Sequence, residues 1–183
     1  MNASTGRSEA VDWKSHFETQ IDYQIWANQI LFESLSGLEP SALTRPEGLF
    51  FPSIHHTVDH LHVVLDLWAA RLAGRDATAD FHTIRQDDWS RLKAEIQQSL
   101  RTLGHWLGDR GEEFIDGEIS YHRLGCALSR SSVRDVLVHL MGHFVHHRGQ
   151  ISAVATRLGA PAPEMDFLFY VRDLEAAEAR MRG

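Results

Sequence analysis

The sequence predicts an all-α protein built as a four-helix bundle. In four long stretches apolar residues return every three or four positions, which is the spacing of one buried helix face. Glycine, proline and short polar segments separate these stretches. Hydrophobic residues make up 43% of the 183 residues and charged residues 23%, so the composition is that of an ordinary globular protein.

Start and stop signals set the boundaries of each helix. Acidic or hydroxyl side chains that can cap a helix precede the third and fourth stretches, and glycine follows all four. Ser131 or Ser132 is the expected N-cap of the fourth helix, with Asp135 in its first turn. The predicted helices span residues 12–37, 52–74, 87–108 and 131–158.

The segments between and after these helices are predicted from their breakers and their period. Residues 38–51 are rich in proline and glycine, which indicates a loop. Residues 114–129 lack the helical period, and two β-leaning pieces, 119–121 and 126–128, predict a small hairpin before the fourth helix. Residues 165–183 predict a short amphipathic fifth helix laid on the bundle.

Charge, hydropathy and cysteine content limit the class of protein. We expect residues 1–11 to form a flexible arm and residues 12–183 to form one domain. Apolar runs are too short for a membrane span, so we expect a cytoplasmic protein that does not bind membranes. A formal charge of −7 without a basic run argues against a nucleic-acid partner. The single Cys126, expected to be buried, excludes an intramolecular disulfide and a cysteine-built zinc site.

Histidine is concentrated in two short windows. Eight of the twelve histidines lie in residues 55–62 and 139–147. In the second window His139, His143 and His147 share one stripe of the predicted fourth helix, because residues four apart lie above one another. Two imidazoles one turn apart can bind one metal ion, and imidazole suits zinc, nickel, copper and iron.

A third ligand is expected from the second helix, because bundles place metals between facing helices. His60 lies on the apolar face of that helix or at its edge. We therefore predict a metal site formed by His60, His143 and His147. Three protein ligands leave a coordination position open to water or substrate, which is typical of catalytic rather than structural sites.

The neighbouring histidines remain alternatives. We favour the interpretation that His139 is a histidine on the helix face that hydrogen-bonds water or a group next to the metal ligands. His146 is a ligand only if the helix register differs from the expected one. His56 could orient a bound water or replace His60 as a ligand. The catalytic residues are unknown, with His56 and His139 as the candidate proton shuttles.

Other residues near the windows have competing interpretations. Asp59 could accept the second N–H of a ligand histidine, or it could be a solvated helix residue. Arg148 could bind an anionic substrate group, but we favour the view that it pins neighbouring helices by bonding carbonyls. Gly149 is expected to let helices approach closely. Four aromatic residues are expected in the core: Trp26, Trp68, Phe144 and Tyr170.

Several motifs together point to a known family. The most specific is the ending His146-His147-Arg148-Gly149-Gln150 of the second histidine window. Further motifs follow the same order along the chain: Tyr23-Gln24-Ile25-Trp26-Ala27-Asn28, residues 53–61, Trp68, residues 71–74 and residues 166–170. Over residues 13–172 the chain resembles the DinB/YfiT-like metalloenzyme family, four-helix-bundle proteins similar to S-transferases that use mycothiol or bacillithiol.

The family resemblance implies a set of metal ligands, and the sequence departs from the family pattern at two positions. It places the metal ligands of the family on His60, His143 and His147, and it implies a homodimer. Asp59 stands where the family usually has Asn. Leu65 occupies a position that is acidic in the family, with Asp66 one place later, so no outer carboxylate is assigned there.

The preferred hypothesis is an enzyme with a divalent metal ion, zinc or nickel, that activates a water or a low-molecular-weight thiol. The reaction would conjugate a thiol to a small electrophile, or hydrolyse a small amide or ester. A second hypothesis is a non-catalytic metal-binding stress-response protein in which the ion ties the second helix to the fourth. A third is a metal-free, dimeric helical binding module.

Overall fold

The computed structural model describes residues 11–123 and 125–183 and confirms an all-α bundle with a small hairpin. Its elements in chain order are α1 (Trp13–Leu35), α2 (Pro40–Thr44), α3 (Ile54–Leu72), α4 (Trp89–Gly108), α5 (Glu112–Ile115), β1 (Glu118–Tyr121), β2 (Ser129–Ser132), α6 (Val133–Arg157) and α7 (Phe167–Arg182). The predicted arm, residues 1–11, lies outside the described residues except for Val11. No helix within the described ranges has the length and apolar character to cross a membrane.

The four long helices α1, α3, α4 and α6 form the bundle. Helix α1 packs against α4 and α6, and α3 packs against the same two helices, so α1 and α3 lie on a diagonal. Helices α3 and α6, which hold the two histidine windows, are therefore neighbours. Fully buried side chains from both helices, including Leu61, Leu65, Leu140 and Phe144, belong to one hydrophobic core.

Each bundle helix begins at a side chain that accepts a hydrogen bond from the backbone N–H three residues later. Such a cap stabilises a helix by about 1 kcal/mol because it satisfies a donor that has no partner inside the helix. The four caps are Asp12 to Ser15 N at 2.9 Å, Ser53 to His56 N at 3.2 Å, Asp88 to Arg91 N at 2.9 Å and Ser132 to Asp135 N at 3.0 Å.

The connections differ from prediction in three places. The predicted loop at residues 38–51 contains α2, which has Pro40 in its first turn, where proline needs no N–H partner. The short helix α5, which precedes the hairpin, was not predicted from the sequence. The prediction of a strand at residues 126–128 is wrong, because β1 pairs antiparallel with β2, with Tyr121 opposite Ser129.

The hairpin register explains the misplaced strand. Gly117 O accepts the backbone N–H of Val133 at 3.0 Å, and Tyr121 Oη lies 3.0 Å from Ser131 Oγ, so polar residues next to α6 form the second strand. Residues 126–128 fall in the connection. The expectation that Cys126 is buried is therefore also wrong, since its side chain is exposed.

The predicted C-terminal helix is present as α7. Tyr170 of this helix is buried against Tyr23 of α1, with ring centroids 5.9 Å apart. Trp26 Nε1 donates to Asp173 Oδ2 at 3.1 Å. Helix α7 thus lies on the outer side of α1 rather than beside the histidine windows.

Candidate metal centre

Three histidines from two helices converge between α3 and α6. His60 Nε2 lies 3.0 Å from His143 Nε2. One ring nitrogen from each of His60, His143 and His147 lies within 4.8 Å of the other two. His143 and His147 are one helical turn apart, with ring centroids separated by 4.4 Å. The structure therefore brings together the three histidines that the sequence nominates as ligands.

The orientation of His147 is set by Gln150, one turn later on the same helix. His147 Nδ1 donates to Gln150 Oε1 at 2.8 Å. A ring that donates through Nδ1 keeps its lone pair on Nε2. His147 Nε2 is thus left as the donor atom that a metal ion can use.

Aromatic rings enclose His60 on the α3 side of the cluster. The ring of Phe51 stacks on His60 with centroids 3.8 Å apart, and Phe81 meets the same imidazole edge-on at 5.4 Å. His60 and His147 are 7% and 5% exposed, whereas His143 is half-buried. The cluster is therefore shielded around His60 and reached by solvent near His143.

Burial keeps these imidazoles uncharged at neutral pH. Burial, with smaller contributions from the neighbouring rings of His147 and His56, lowers the pKa of His60 to about 4. Burial likewise lowers the pKa of His143 to about 3, with His147 and His60 as the next contributors. Burial also lowers the pKa of His147, partly offset by its hydrogen bond to Gln150. Uncharged rings are the form that binds metal ions.

The donor set fits a divalent cation. In a tetrahedral site with metal–nitrogen distances of about 2.0–2.1 Å, two nitrogen ligands lie about 3.3 Å apart. The 3.0 Å separation of the His60 and His143 nitrogens is close to that spacing. His60 Nδ1 is buried without a hydrogen-bond partner among the described residues, so no hydrogen bond at that nitrogen holds the ring in a competing role.

The alternative histidines lie around the cluster rather than in it. His139 is exposed, with its ring 5.5 Å from His143 and 5.8 Å from Trp68. His146 is exposed beside His147, with ring centroids 4.9 Å apart. His56 is half-buried, 5.4 Å from Phe51, and its Nε2 has no hydrogen-bond partner in the described part of the chain. None of the three belongs to the converging set.

Asp59 matches neither of its two interpretations. Its side chain is 1% exposed, so it is not a solvated helix residue. Its carboxylate accepts the backbone N–H groups of Arg85 and Gln86 at 3.0 and 2.9 Å instead of a histidine N–H. These partners lie 26 and 27 residues further along the chain, so local spacing could not indicate them. Asp59 anchors the connection between α3 and α4.

Arg148 ties α6 to α1, as favoured from the sequence. Its guanidinium is 2% exposed and donates from Nη1 to Gln24 Oε1 at 2.6 Å and to Asn28 Oδ1 at 3.2 Å. It also lies 5.3 Å from the centre of the Tyr23 ring. The expectation for Gly149 is wrong, because a side chain there would meet no atom of the described residues within 4 Å, so no described helix approaches closely.

Three side chains that contact the histidine cluster were given no role from the sequence, namely Gln150, Phe51 and Phe81. Gln150 had a detectable signal, since its three-residue spacing from His147 places both on one helix face. Phe51 and Phe81 had none, because both lie in connections whose path depends on tertiary contacts.

Comparisons with known proteins agree with this fold. Residues 10–180 match the model of the DinB family. Protein DinB from Bacillus subtilis (strain 168) is 23% identical over 155 residues, covering 82% of this chain and 90% of that protein. The structure of YfiT from Bacillus subtilis, described as a probable metal-dependent hydrolase with an unusual four-helix bundle topology, is similar with a TM-score of 0.65. That match has 13% identity over 88% of this chain and 97% of the YfiT chain, and it shows a shared fold.

The family match spans all four bundle helices and both histidine windows. The chain therefore belongs to the DinB family.

Proposed function

We propose that this protein is a metal-dependent enzyme in which His60, His143 and His147 bind one divalent ion, zinc or nickel. The observation that supports the proposal most directly is the convergence of three uncharged imidazole nitrogens within 4.8 Å, from helices that are far apart in sequence. Two further facts support it, namely membership of the DinB family and a similar fold in YfiT, described as a probable metal-dependent hydrolase.

A divalent ion with three protein ligands supplies a Lewis acid that lowers the pKa of a water or thiol to near neutrality. The residues of the chain then have separate tasks. Gln150 holds His147 in the tautomer that offers Nε2. Phe51 and Phe81 cover His60 and keep water from its side of the site. Substrate reaches the site beside His143, the most exposed of the three ligands.

His139 is the proposed proton-transfer residue. It is exposed to solvent and lies one turn before His143, with ring centroids 5.5 Å apart. This position lets an imidazole nitrogen exchange protons between bulk water and a group bound near His143. His56 is the second candidate, but Phe51 lies against it and its Nε2 is buried.

The proposed reaction is hydrolysis of a small ester or amide, with transfer of a low-molecular-weight thiol to an electrophile as the alternative. Hydrolysis comes first because YfiT is described as a hydrolase. The two reactions differ in the nucleophile, so the same metal-loaded protein can be assayed with water alone and with an added thiol.

The test compares wild-type protein with His143→Ala and His139→Ala on a panel of small esters, amides and thiol-electrophile pairs. We expect turnover that requires added zinc or nickel, is lost in His143→Ala together with the metal, and is reduced in His139→Ala at full metal content. Metal-loaded protein without turnover on the whole panel would support a non-catalytic metal-binding protein.

The homodimer implied by the family resemblance and the cytoplasmic location remain predictions. Sedimentation velocity of untagged protein tests the first, and a sedimentation coefficient of a single 20.8 kDa chain would contradict it.

A further inference from the structure

A cavity lies on the side of α3 that faces away from the histidine cluster. It has a volume of about 790 Å³ and is bounded by α3, α4 and the connection between them. His62 lines this cavity and is two residues beyond His60, which places it about 200° further round the helix. The volume is within the range of about 300–1,000 Å³ typical of small-molecule sites. We call it the α3–α4 cavity.

The innermost polar group of the α3–α4 cavity is His62. Its side chain is 4% exposed, and its Nε2 lies 3.2 Å from Ser99 Oγ and 3.5 Å from Asp66 Oδ2. Its Nδ1 is buried without a hydrogen-bond partner among residues 11–123 and 125–183. Because Ser99 and Asp66 both line the cavity, the His62–Ser99 pair is the polar group that a ligand would meet at its inner end.

The rim of the cavity is held in place by contacts that do not involve a ligand. Asp59 fixes the backbone of Arg85 and Gln86, and the Gln86 side chain donates to both carboxylate oxygens of Glu95 on α4 at 3.2 and 3.1 Å. This pre-formed rim lowers the entropy that binding would cost.

Among the described residues, the charges around the cavity leave one cation unmatched. Asp66 pairs with Arg85 at 3.0 Å, and Glu95 pairs with Arg91 at 3.4 Å. Arg75, directly after the turn that ends α3, lines the cavity and forms no ion pair with the described residues. An unmatched guanidinium prefers a carboxylate or another oxyanion.

The remaining wall is mainly apolar. It includes Leu103 and the partly buried ring of Trp106 on α4. From these observations we infer that the α3–α4 cavity binds a small organic monoanion, with its carboxylate at Arg75, its apolar or aromatic body against Leu103 and Trp106, and the His62–Ser99 pair at its inner end. This site does not depend on a metal ion and is separate from the proposed reaction.

The probe is phenylacetate, compared with phenylacetamide and phenethylamine, which have the same ring and a neutral or positive group. Isothermal titration calorimetry on the full-length protein measures each affinity. We expect phenylacetate to bind most tightly, the amide less tightly and the amine least, because Arg75 repels a cation.

Two variants test the location. Arg75 is exposed, and Arg75→Gln removes its charge and its guanidinium donors, so phenylacetate affinity should fall about three- to tenfold. Ser99→Phe fills the inner end of the cavity and should abolish binding, with circular dichroism showing that the fold is kept. Arg130→Gln, an exposed arginine on β2, is the matched control and should change nothing.

Binding must also survive in His143→Ala, which removes the proposed metal site. Loss of phenylacetate binding in that variant would place the ligand at the metal and overturn the inference. Undetectable binding at millimolar concentration, equal affinity for phenethylamine, or unchanged affinity in both Arg75→Gln and Ser99→Phe would overturn it as well.

Discussion

Gln150 Oε1 accepts a hydrogen bond from His147 Nδ1 at 2.8 Å, which makes Gln150 the one described side chain that fixes the tautomer of a proposed ligand. A partner of this kind typically changes metal affinity by about 10- to 100-fold. The contact is local, since both residues lie on the same face of α6. It allows the role of tautomer control to be tested without removing a ligand.

The first prediction concerns this contact. Gln150→Met removes the acceptor at constant length and should weaken metal binding by about 10- to 100-fold. Gln150→Glu keeps an acceptor and should retain most of the affinity. Competition with a chromophoric chelator measures the affinity, and the melting temperature of metal-free protein serves as the control. Equal affinities in the two variants would mean that Gln150 does not position His147.

The second prediction concerns the anchor at Asp59. Asp59→Ala removes the charged acceptor of the Arg85 and Gln86 N–H groups, so the free energy of unfolding should fall by about 2–3 kcal/mol. Asp59→Asn keeps one acceptor oxygen and should cost about half as much. Hydrogen exchange of the residue 85 and 86 amides reports the local effect. Unchanged exchange in Asp59→Ala would show that the carboxylate does not hold this connection.

The third prediction concerns the buried guanidinium of Arg148. Burial lowers the pKa of Arg148, yet the Gln24 and Asn28 side-chain oxygens depend on it as a donor. Arg148→Met should therefore lower the unfolding free energy by about 2–4 kcal/mol in urea titrations. Arg101→Met, an exposed position on α4, is the control and should stay within about 0.5 kcal/mol. If Arg148→Met lowered the unfolding free energy by no more than the Arg101→Met control, Arg148 would not be holding α6 to α1.

The fourth prediction distinguishes a catalytic from a structural ion. The hydrophobic core includes side chains of all four bundle helices, so the fold does not rest on the three histidines. Protein stripped with a chelator should keep its helical circular dichroism, and added zinc should raise its melting temperature by mass action. Collapse of the helical signal on chelation would instead favour a structural ion that ties α3 to α6.

The sequence was most informative where its signals are periodic or local. The four long helices, the acidic cap of α4, the serine cap of α6 and the alignment of His143 with His147 follow from start signals and helical spacing. The nomination of His60 required one further step, because its place opposite α6 depends on which helices are neighbours. The diagonal relation of α1 and α3 settles that order in space.

Contacts between segments that are distant in the sequence could not be predicted from it. Asp59 binds backbone groups of a connection, Phe51 packs on His60 from a loop, and Cys126 is exposed because the hairpin pairs in a later register. In each case the partner is set by chain path rather than by residue type. Short irregular segments have no period from which to predict that path.

The most direct test of the metal site is elemental analysis by mass spectrometry on untagged protein. Wild-type protein is measured beside His60→Ala, His143→Ala and His147→Ala, with His139→Ala as the matched control on the same helix stripe. We expect about one zinc or nickel ion per chain in wild type and in His139→Ala, and loss of the ion in the other three variants. Folded wild-type protein without metal even after added zinc or nickel, or full metal content in His143→Ala, would contradict this expectation.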